Sequence, residues 1–229
     1  MAWDAGKPPS GGLDPVETRQ ARRNMVELQL LARGVRNVGV LEAMSVIPRE
    51  RFIARELATL AYNDRPLPIE EGQTISQPFM VAVMAEALDL RGDELVLEVG
   101  AGSGYSAAIL SRLARRVVAV ERIPALLATA RRTWAALGLD NIEGRVGDGT
   151  LGVPDCAPFD AISVTAGAPP TIPPSLAAQL RPGSGRMVIP AGDRELQTLY
   201  TVRRRADGSL TREPGGMCRF VPLLGKEGW

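Results

Sequence analysis

Histidine is absent from this sequence of 229 residues, and cysteine occurs only twice, as Cys156 and Cys218. Without an imidazole, a Ser-His pair, a histidine general base and a histidine-ligated metal are all excluded. The two cysteines lie far apart and form no Cys-x-x-Cys motif, so neither a disulfide framework nor a metal site is expected. The chemistry of any active site must depend on other groups.

An excess of charge of one sign is also missing, because 27 Lys and Arg residues against 26 Asp and Glu residues give a formal net charge of +1. Such a chain has no overall field that attracts nucleic acid or an anionic membrane. The longest uncharged run, residues 161–180, contains four prolines and cannot be a membrane span. Residues 1–15 lack the apolar core of a signal peptide. We therefore expect a cytoplasmic protein without nucleic-acid or membrane partners, and we expect a monomer.

The length and the ordinary composition suit one domain with its own hydrophobic core. Residues 1–14 are predicted to be a disordered tail, and residues 15–229 are predicted to form a single domain. Within it we expect a helical part, 15–90, followed by a Rossmann-like core, 91–229.

A glycine-rich turn follows an apolar segment between Leu95 and Tyr105. The mostly apolar residues 95–99 predict a buried strand of a parallel sheet, and a helix is predicted after the glycines. Glycines at 100, 102 and 104 lack the Cβ that would keep a ligand off the backbone, and they tolerate positive φ. Glycine turns also occur where a strand simply packs close to a helix, so the motif alone leaves both interpretations open.

Acidic residues end the next two predicted strands. Glu121 comes about twenty residues after the turn, where an acid in a Rossmann-like unit hydrogen-bonds the ribose hydroxyls of a nucleoside. Asp148 lies between Gly147 and Gly149, where a carboxylate can accept from the exocyclic amine of adenine and the glycines leave room for the ring. Three strand ends therefore predict one nucleoside site.

The glycine spacing and Glu98 indicate which nucleoside binds. Dinucleotide sites favour Gly-x-Gly-x-x-Gly, which places a pyrophosphate on a helix N-terminus. Here the third glycine comes one position early and Glu98 precedes the first glycine. That carboxylate would repel phosphate, but it suits the ammonium and sulfonium groups of S-adenosylmethionine. The alternative is an ordinary strand-end ion pair between Glu98 and an arginine.

Thr74 and Ser76 precede a predicted apolar helix, residues 79–90. Ser76 is placed to be the N-cap of this helix, with Pro78 in the first turn, which is a structural reason for a serine. Hydroxyls beside free backbone N–H groups at a helix N-terminus also favour a bound carboxylate, and both roles can coexist. A second serine, Ser175, is expected to cap a later short helix.

Two predictions concern the ends of the chain. The first helix is predicted to run from Asp14–Pro15 to Arg33, with Arg22 facing water and an apolar face formed by Met25, Leu28, Leu31 and Ala32. After a proline-rich loop at 166–174, where substrate would be met, strands are predicted over residues 186–190, 196–204 and 217–223, with Asp207-Gly208 as a hairpin turn.

The chain resembles the protein-L-isoaspartate (D-aspartate) O-methyltransferase family over about residues 25–224. The most specific mark is Gln73-Thr74-Ile75-Ser76-Gln77-Pro78. Other marks are Ile47-Pro48-Arg49-Glu50-Arg51-Phe52, Glu98-Val99-Gly100-Ala101-Gly102-Ser103-Gly104-Tyr105, Gly147-Asp148-Gly149 and Phe220-Val221-Pro222-Leu223.

This resemblance implies an α/β, Rossmann-like S-adenosylmethionine-dependent methyltransferase fold with an N-terminal helical addition and C-terminal strands. It implies methyl transfer to the α-carboxylate of L-isoaspartyl and D-aspartyl residues in damaged proteins and peptides, leaving S-adenosyl-L-homocysteine and an ester that cyclises to a succinimide. Ser76 matches the residue assigned to the active site of such enzymes. The predicted cofactor-binding residues are Thr74, Ile75, Ser76, Glu98, Gly100, Gly102, Ser103, Glu121, Arg122, Asp148 and Gly149.

The residue inventory agrees with this chemistry, because a carboxylate acceptor is already ionised at neutral pH and needs no general base. Nothing here could activate Ser76 as a nucleophile, so it is expected to position the acceptor. Two alternatives stay open. A relative that methylates a normal aspartate in one dedicated peptide would share the fold and the cofactor site. A non-catalytic adenosyl-ligand sensor would keep Glu121 and Asp148, but the intact segment 74–78 argues against it.

Overall fold

A computed structural model describes residues 16–229, so the predicted tail, 1–14, and the predicted helix start at Asp14–Pro15 lie outside the described residues. None of the helices among residues 16–229 is long and apolar enough to cross a membrane. The α-helices are α1 Val16–Asn24, α2 Val38–Val46, α3 Pro78–Ala87, α4 Tyr105–Ser111, α5 Pro124–Ala136 and α6 Pro174–Gln179. A π-helix spans Met25–Leu30, and 3-10 helices span Leu31–Arg33, Arg49–Phe52, Arg55–Leu60, Glu70–Gly72, Gly149–Leu151 and Pro154–Cys156.

The strands form a seven-stranded sheet and a small two-stranded sheet. They are β1 Leu67–Pro68, β2 Thr74–Ile75, β3 Leu95–Val99, β4 Arg116–Glu121, β5 Ile142–Val146, β6 Ala161–Val164, β7 Arg186–Gly192, β8 Gln197–Arg204 and β9 Leu210–Cys218. The large sheet has the order β5-β4-β3-β6-β7-β8-β9, with parallel pairing from β5 to β7 and antiparallel pairing of β8 and β9. The predicted α/β fold with a mostly parallel sheet is confirmed.

Alternate residues of the central strands face two different hydrophobic cores, as the period of a strand requires. Val96 packs with residues of the N-terminal helices, whereas Leu97 and Val99 pack on the opposite face with α6 and the loops around it. Val99 is in register with Val120 and Val164, so β3, β4 and β6 end at one edge of the sheet. This edge is where a ligand site is expected in a parallel sheet.

The first helix ends at Gly34, as predicted, with a φ of 101°. Its predicted faces are wrong, because Arg22 is buried while Leu28 is 69% exposed. Leu31 is also exposed, and the buried face is formed by Arg22, Met25, Val26 and Leu30. The predicted apolar face and the observed buried face both contain Met25, and both have helical spacing. The prediction chose the wrong one because the observed face includes a buried arginine, Arg22.

Two predictions near the end of the sequence are also wrong. The last strand spans Leu210–Cys218 and not residues 217–223, because Pro214 is accommodated in it. Pro214 pairs with Tyr200 beside a β-bulge on the edge strand, which is where a strand tolerates proline. Ser175 does not cap α6, whose N-cap is Pro173. Instead, the carboxylate of Glu227 accepts hydrogen bonds from the Ser175 backbone N–H at 2.8 Å and from its hydroxyl at 2.7 Å.

Candidate active site

A cleft opens at the edge of the sheet where β3, β4 and β6 end. It is lined by the turn after β3, the ends of β4 and β6, the segment around β2, and residues 221–224. Most of the predicted site residues line it, namely Thr74, Ile75, Ser76, Gly100, Gly102, Ser103, Glu121, Arg122 and Gly149. Glu98 and Asp148 do not line the cleft but are adjacent to residues that do.

The three glycines of the turn have different reasons to be glycine. A Cβ on Gly104 would lie 2.7 Å from Nε1 of Trp134, which donates a hydrogen bond to the Gly104 carbonyl at 2.9 Å. A Cβ on Gly100 would lie 2.8 Å from Oγ1 of Thr165. Around Gly102 the nearest atom to such a Cβ is 3.8 Å away. Close packing therefore explains Gly100 and Gly104, whereas Gly102 lines the cleft without a close neighbour that would exclude a Cβ.

Glu121 ties the glycine turn to the start of α5. Its carboxylate accepts hydrogen bonds from the backbone N–H of Gly102 and from that of Ile123, both at 2.9 Å. A carboxylate offers about four lone-pair sites. Two therefore stay available, and the residue lines the cleft. Glu121 therefore keeps capacity to accept hydrogen bonds from a ligand in the cleft.

Glu98 is fully buried, and no positively charged side chain among the described residues compensates its carboxylate, beside which the Ser106 hydroxyl is the nearby polar group. The strand-end ion pair with an arginine is not found among residues 16–229. The pKa of Glu98 is raised to about 8, chiefly because burial disfavours the charged form. The negative charge of Glu121 adds to this rise, and the Ser106 hydroxyl opposes it. Ser106 itself lines the cleft. A buried, uncompensated acid next to a cleft fits a cationic ligand better than a structural role.

Asp148 is held by three donors. Its Oδ1 accepts from the Thr150 backbone N–H at 2.9 Å and from the Thr150 hydroxyl at 2.7 Å, and its Oδ2 accepts from the Lys226 backbone N–H at 2.8 Å. Partial burial opposes ionisation, but the bonds from Lys226 and Thr150 outweigh it and hold the pKa of Asp148 below its usual value. Gly149 is required by the protein, since a Cβ there would lie 2.6 Å from Cγ1 of Val99.

The predicted N-cap role of Ser76 is wrong. Helix α3 begins at Pro78, and the N-cap residue Gln77 makes no capping bond with its side chain. The cap comes from Asp64, whose Oδ1 accepts from the backbone N–H of Phe79 at 2.9 Å. Arg33 forms an ion pair with Asp64 and lies 3.5 Å over the Phe79 ring. Within residues 16–229 no hydrogen bond engages the Ser76 hydroxyl, which belongs to the lining of the cleft.

Sequence reasoning missed several lining residues. Thr165 directly follows β6, and its hydroxyl donates a 2.6 Å hydrogen bond to the carbonyl of Gly100. Because ligands bind at the carboxyl ends of parallel strands, the position of Thr165 after a predicted strand could have indicated that it lines the site. Residues 221–224 also line the cleft. The sequence predicts a strand over residues 217–223, and residues 220–223 are a mark of the family resemblance, but neither observation assigns them to the site. Among the described residues, no group of three or more His, Cys, Asp or Glu side chains could hold a metal ion.

The sheet, the glycine turn after β3, the acid that ends β4 and the uncompensated Glu98 define a Rossmann-like methyltransferase. A sequence model of the protein-L-isoaspartate(D-aspartate) O-methyltransferase family matches residues 20–228. The chain belongs to this family. The expected fold and the expected class of enzyme, an S-adenosylmethionine-dependent methyltransferase, are thereby confirmed.

Similar proteins cover nearly the same length. The protein-L-isoaspartate O-methyltransferase of Trichlorobacter lovleyi is 53% identical over 209 residues, which is 91% of this chain and 95% of the relative. That of Geobacter metallireducens is 54% identical, over 91% of this chain and 96% of the relative. A solved protein-L-isoaspartate O-methyltransferase superposes with a TM-score of 0.80 at 32% identity, covering 90% of this chain and 67% of that one. A candidate enzyme of the same kind from Plasmodium falciparum, solved with S-adenosyl-L-homocysteine, shares the fold at 24% identity, with a TM-score of 0.75 and coverage of 89% and 98%.

Proposed function

We propose that this protein starts the repair of damaged polypeptides by moving a methyl group from S-adenosylmethionine to the free α-carboxylate of an L-isoaspartyl residue or to the side-chain carboxylate of a D-aspartyl residue. The observation that carries the proposal is the shared cleft. The unengaged hydroxyl of Ser76 lines it together with Gly102 of the glycine turn and Glu121. An acceptor carboxylate and a methyl donor would therefore meet in one place.

The donor end of the cleft fits the adenosyl ligand. When bound, S-adenosylmethionine supplies a methyl group on a positively charged sulfur. Glu121 would accept hydrogen bonds from the ribose hydroxyls, and Asp148 would accept one from the adenine amine. Glu98 would face the ammonium group, and its uncompensated burial supports this role. The other residues proposed to hold the ligand are Thr74, Ile75, Gly100, Gly102, Ser103, Arg122 and Gly149.

The acceptor end needs alignment and not proton transfer. A peptide α-carboxyl has a pKa of roughly 3.3 to 3.7, so it is ionised at neutral pH. The Ser76 hydroxyl would donate to one carboxylate oxygen and leave the other free to attack. An oxygen–carbon bond forms while the carbon–sulfur bond breaks, and the positive charge on sulfur is neutralised without any proton moving. Apolar cleft residues such as Val221 and Leu223 exclude water, which strengthens the attraction between the two charges.

Paired synthetic peptides that differ only in isoaspartate versus aspartate test this function. We expect transfer of a labelled methyl group to the isoaspartyl peptide, with little dependence on flanking sequence, and no transfer to its partner. Equal labelling of both, or of neither, would contradict repair. Labelling of a normal aspartate in a single sequence context would instead support the dedicated-peptide alternative.

The partners and the location are proposed on separate grounds. The near-neutral net charge supports the absence of a nucleic-acid partner, and isoaspartyl proteins and peptides would be the substrates. Cys156 and Cys218 are both free thiols, which fits a reducing compartment such as the cytoplasm. We propose a monomer, because one chain brings all the predicted site residues to this edge of the sheet.

A further inference from the structure

Residues 225–229, here named the clasp, directly follow the four residues 221–224 that line the cleft, and they pack on the loop after β5. The backbone N–H of Lys226 donates to Oδ2 of Asp148 at 2.8 Å, and that of Glu227 donates to Oγ1 of Thr150 at 3.1 Å. The contact is close, since a Cβ on Gly225 would lie 2.1 Å from Oδ1 of Asp148. The clasp therefore packs directly on the carboxylate proposed to recognise adenine.

The far side of the clasp is anchored to two other loops of the same edge. Glu227 accepts two hydrogen bonds from Ser175 at the start of α6. The indole N–H of Trp229 donates to the carbonyl of Gly167 at 2.9 Å, and the guanidinium of Arg194 lies 5.0 Å from the centre of the Trp229 ring. The position of the clasp is thus set by contacts outside the nucleoside site.

The clasp fixes both the orientation and the remaining capacity of Asp148. Donors on both oxygens prevent the carboxylate from rotating, and three of its roughly four lone-pair sites are filled. One acceptor site is left. A fixed, ionised acceptor with a single open site is suited to one N–H donor, such as the exocyclic amine of adenine.

We propose that the clasp determines base selectivity by holding Asp148 in the orientation that accepts the adenine amine. The inference rests on the proposed adenosyl site, and it adds a positioning role for the backbone N–H of Lys226. If that N–H is removed, the carboxylate can turn away from the base. Affinity for the adenine ligand then falls, while affinity for a ligand without the amine does not.

Two substitutions at one position isolate this donor. Lys226→Pro removes the backbone N–H, and φ at Lys226 is not positive. Lys226→Ala keeps the N–H and removes only an exposed side chain, so it is the matched control. Glu227→Ala, which releases the anchor on Ser175, is the second test if the proline variant has a lowered unfolding temperature.

The measurement is the dissociation constant, by titration calorimetry, for S-adenosyl-L-homocysteine and for its analogue with hydrogen in place of the 6-amino group. The wild type and Lys226→Ala should prefer the amine by roughly tenfold to hundredfold, the usual effect of a hydrogen bond to a charged group. In Lys226→Pro and Glu227→Ala the preference should fall below about threefold, through loss of affinity for the amino ligand alone.

The outcomes separate the two proposals. An unchanged preference in both variants would overturn the role of the clasp and leave the adenosyl site intact. Equal binding of the two ligands by the wild type would show that Asp148 does not recognise the amine, and would also overturn it. Binding of neither ligand by the wild type would contradict the proposed function and the clasp together.

Discussion

The carboxylate of Asp64 accepts a hydrogen bond from the backbone N–H of Phe79 at 2.9 Å and so caps helix α3. Asp64 comes from the loop before β1, and it takes the capping role that the sequence predicts for Ser76. The structural reason for a serine at position 76 is thereby removed. Its hydroxyl is left for a ligand in the cleft, which separates the stability of the helix from the chemistry of the site.

Substitution of Ser76 should therefore affect activity and not stability. We expect Ser76→Ala to change the free energy of unfolding by no more than about 0.5 kcal/mol, as for a position without a cap. Ser76→Asp should stay folded but lose more methyl transfer than Ser76→Ala, because its charge repels the acceptor carboxylate. Urea unfolding and initial rates on an isoaspartyl peptide measure both effects. An active aspartate variant would show that the acceptor is held elsewhere.

Asp64 should show the stability effect that Ser76 lacks. Asp64→Ala removes the cap and is expected to cost roughly 0.5 to 2 kcal/mol of unfolding free energy. Asp64→Asn should cost less, because asparagine caps a helix about as well and the main loss is the ion pair with Arg33, whose side chain is about half-exposed. Urea unfolding of the two variants checks this order, and equal losses would mean that the ion pair and not the cap matters.

Glu121 should contribute to binding and to the order of the glycine turn. We expect Glu121→Ala to weaken binding of S-adenosyl-L-homocysteine by ~1 to 3 kcal/mol through the lost hydrogen bonds to ribose. Glu121→Gln should lose less, since one acceptor oxygen is retained for the N–H of Gly102 or that of Ile123. Titration calorimetry gives the affinities. An affinity unchanged in the alanine variant would remove Glu121 from the site.

Glu98 should make the stability of the ligand-free protein depend on pH. Its pKa is raised to about 8 in the folded state, chiefly by burial, against roughly 4.3 for an unfolded glutamate. Between these values the folded state holds the extra proton, so the contribution of Glu98 to stability is present at low pH and is lost as the pH rises. The loss is at most about 1.4 kcal/mol per pH unit.

Glu98→Gln removes this titration. The variant should therefore gain stability over the wild type progressively from about pH 5 to pH 8, while it binds S-adenosylmethionine more weakly. Urea unfolding without ligand across that range measures the difference. Parallel stability profiles for the two proteins would show that Glu98 does not titrate there.

The central part of the fold could be predicted because its signals are local. The apolar run of β3, the glycine turn and Glu121 lie within about thirty residues, and parallel strands bring their ends to one edge by geometry. The same holds for the turn at Gly208, whose φ of 84° suits glycine. These features need no knowledge of distant contacts.

The two helix caps could not be predicted in the same way. A serine just before or within a first helical turn predicts a cap by its own side chain. In the helix after Ser76, however, Asp64 accepts from the N–H of Phe79, and in the helix that contains Ser175, Glu227 accepts from the N–H of Ser175. Glu227 is 52 residues from Ser175 in sequence. Such caps exist only once the tertiary fold has brought the loops together. The same is true of the orientation of Asp148, which depends on the clasp, the segment that contains Glu227.

The two edge strands of the large sheet, β5 and β9, are where the sheet of one molecule could pair with that of another. An exposed edge strand can pair with a strand of another chain and so begin aggregation. On one edge, β9 contains Pro214, which lacks an N–H, next to the irregular pairing opposite Tyr200. On the other edge, β5 carries Glu143 and Arg145, which form ion pairs with each other on the surface. Proline interrupts the row of backbone donors on β9, and charged side chains flank the backbone of β5, so extension of the sheet from one molecule to the next is disfavoured.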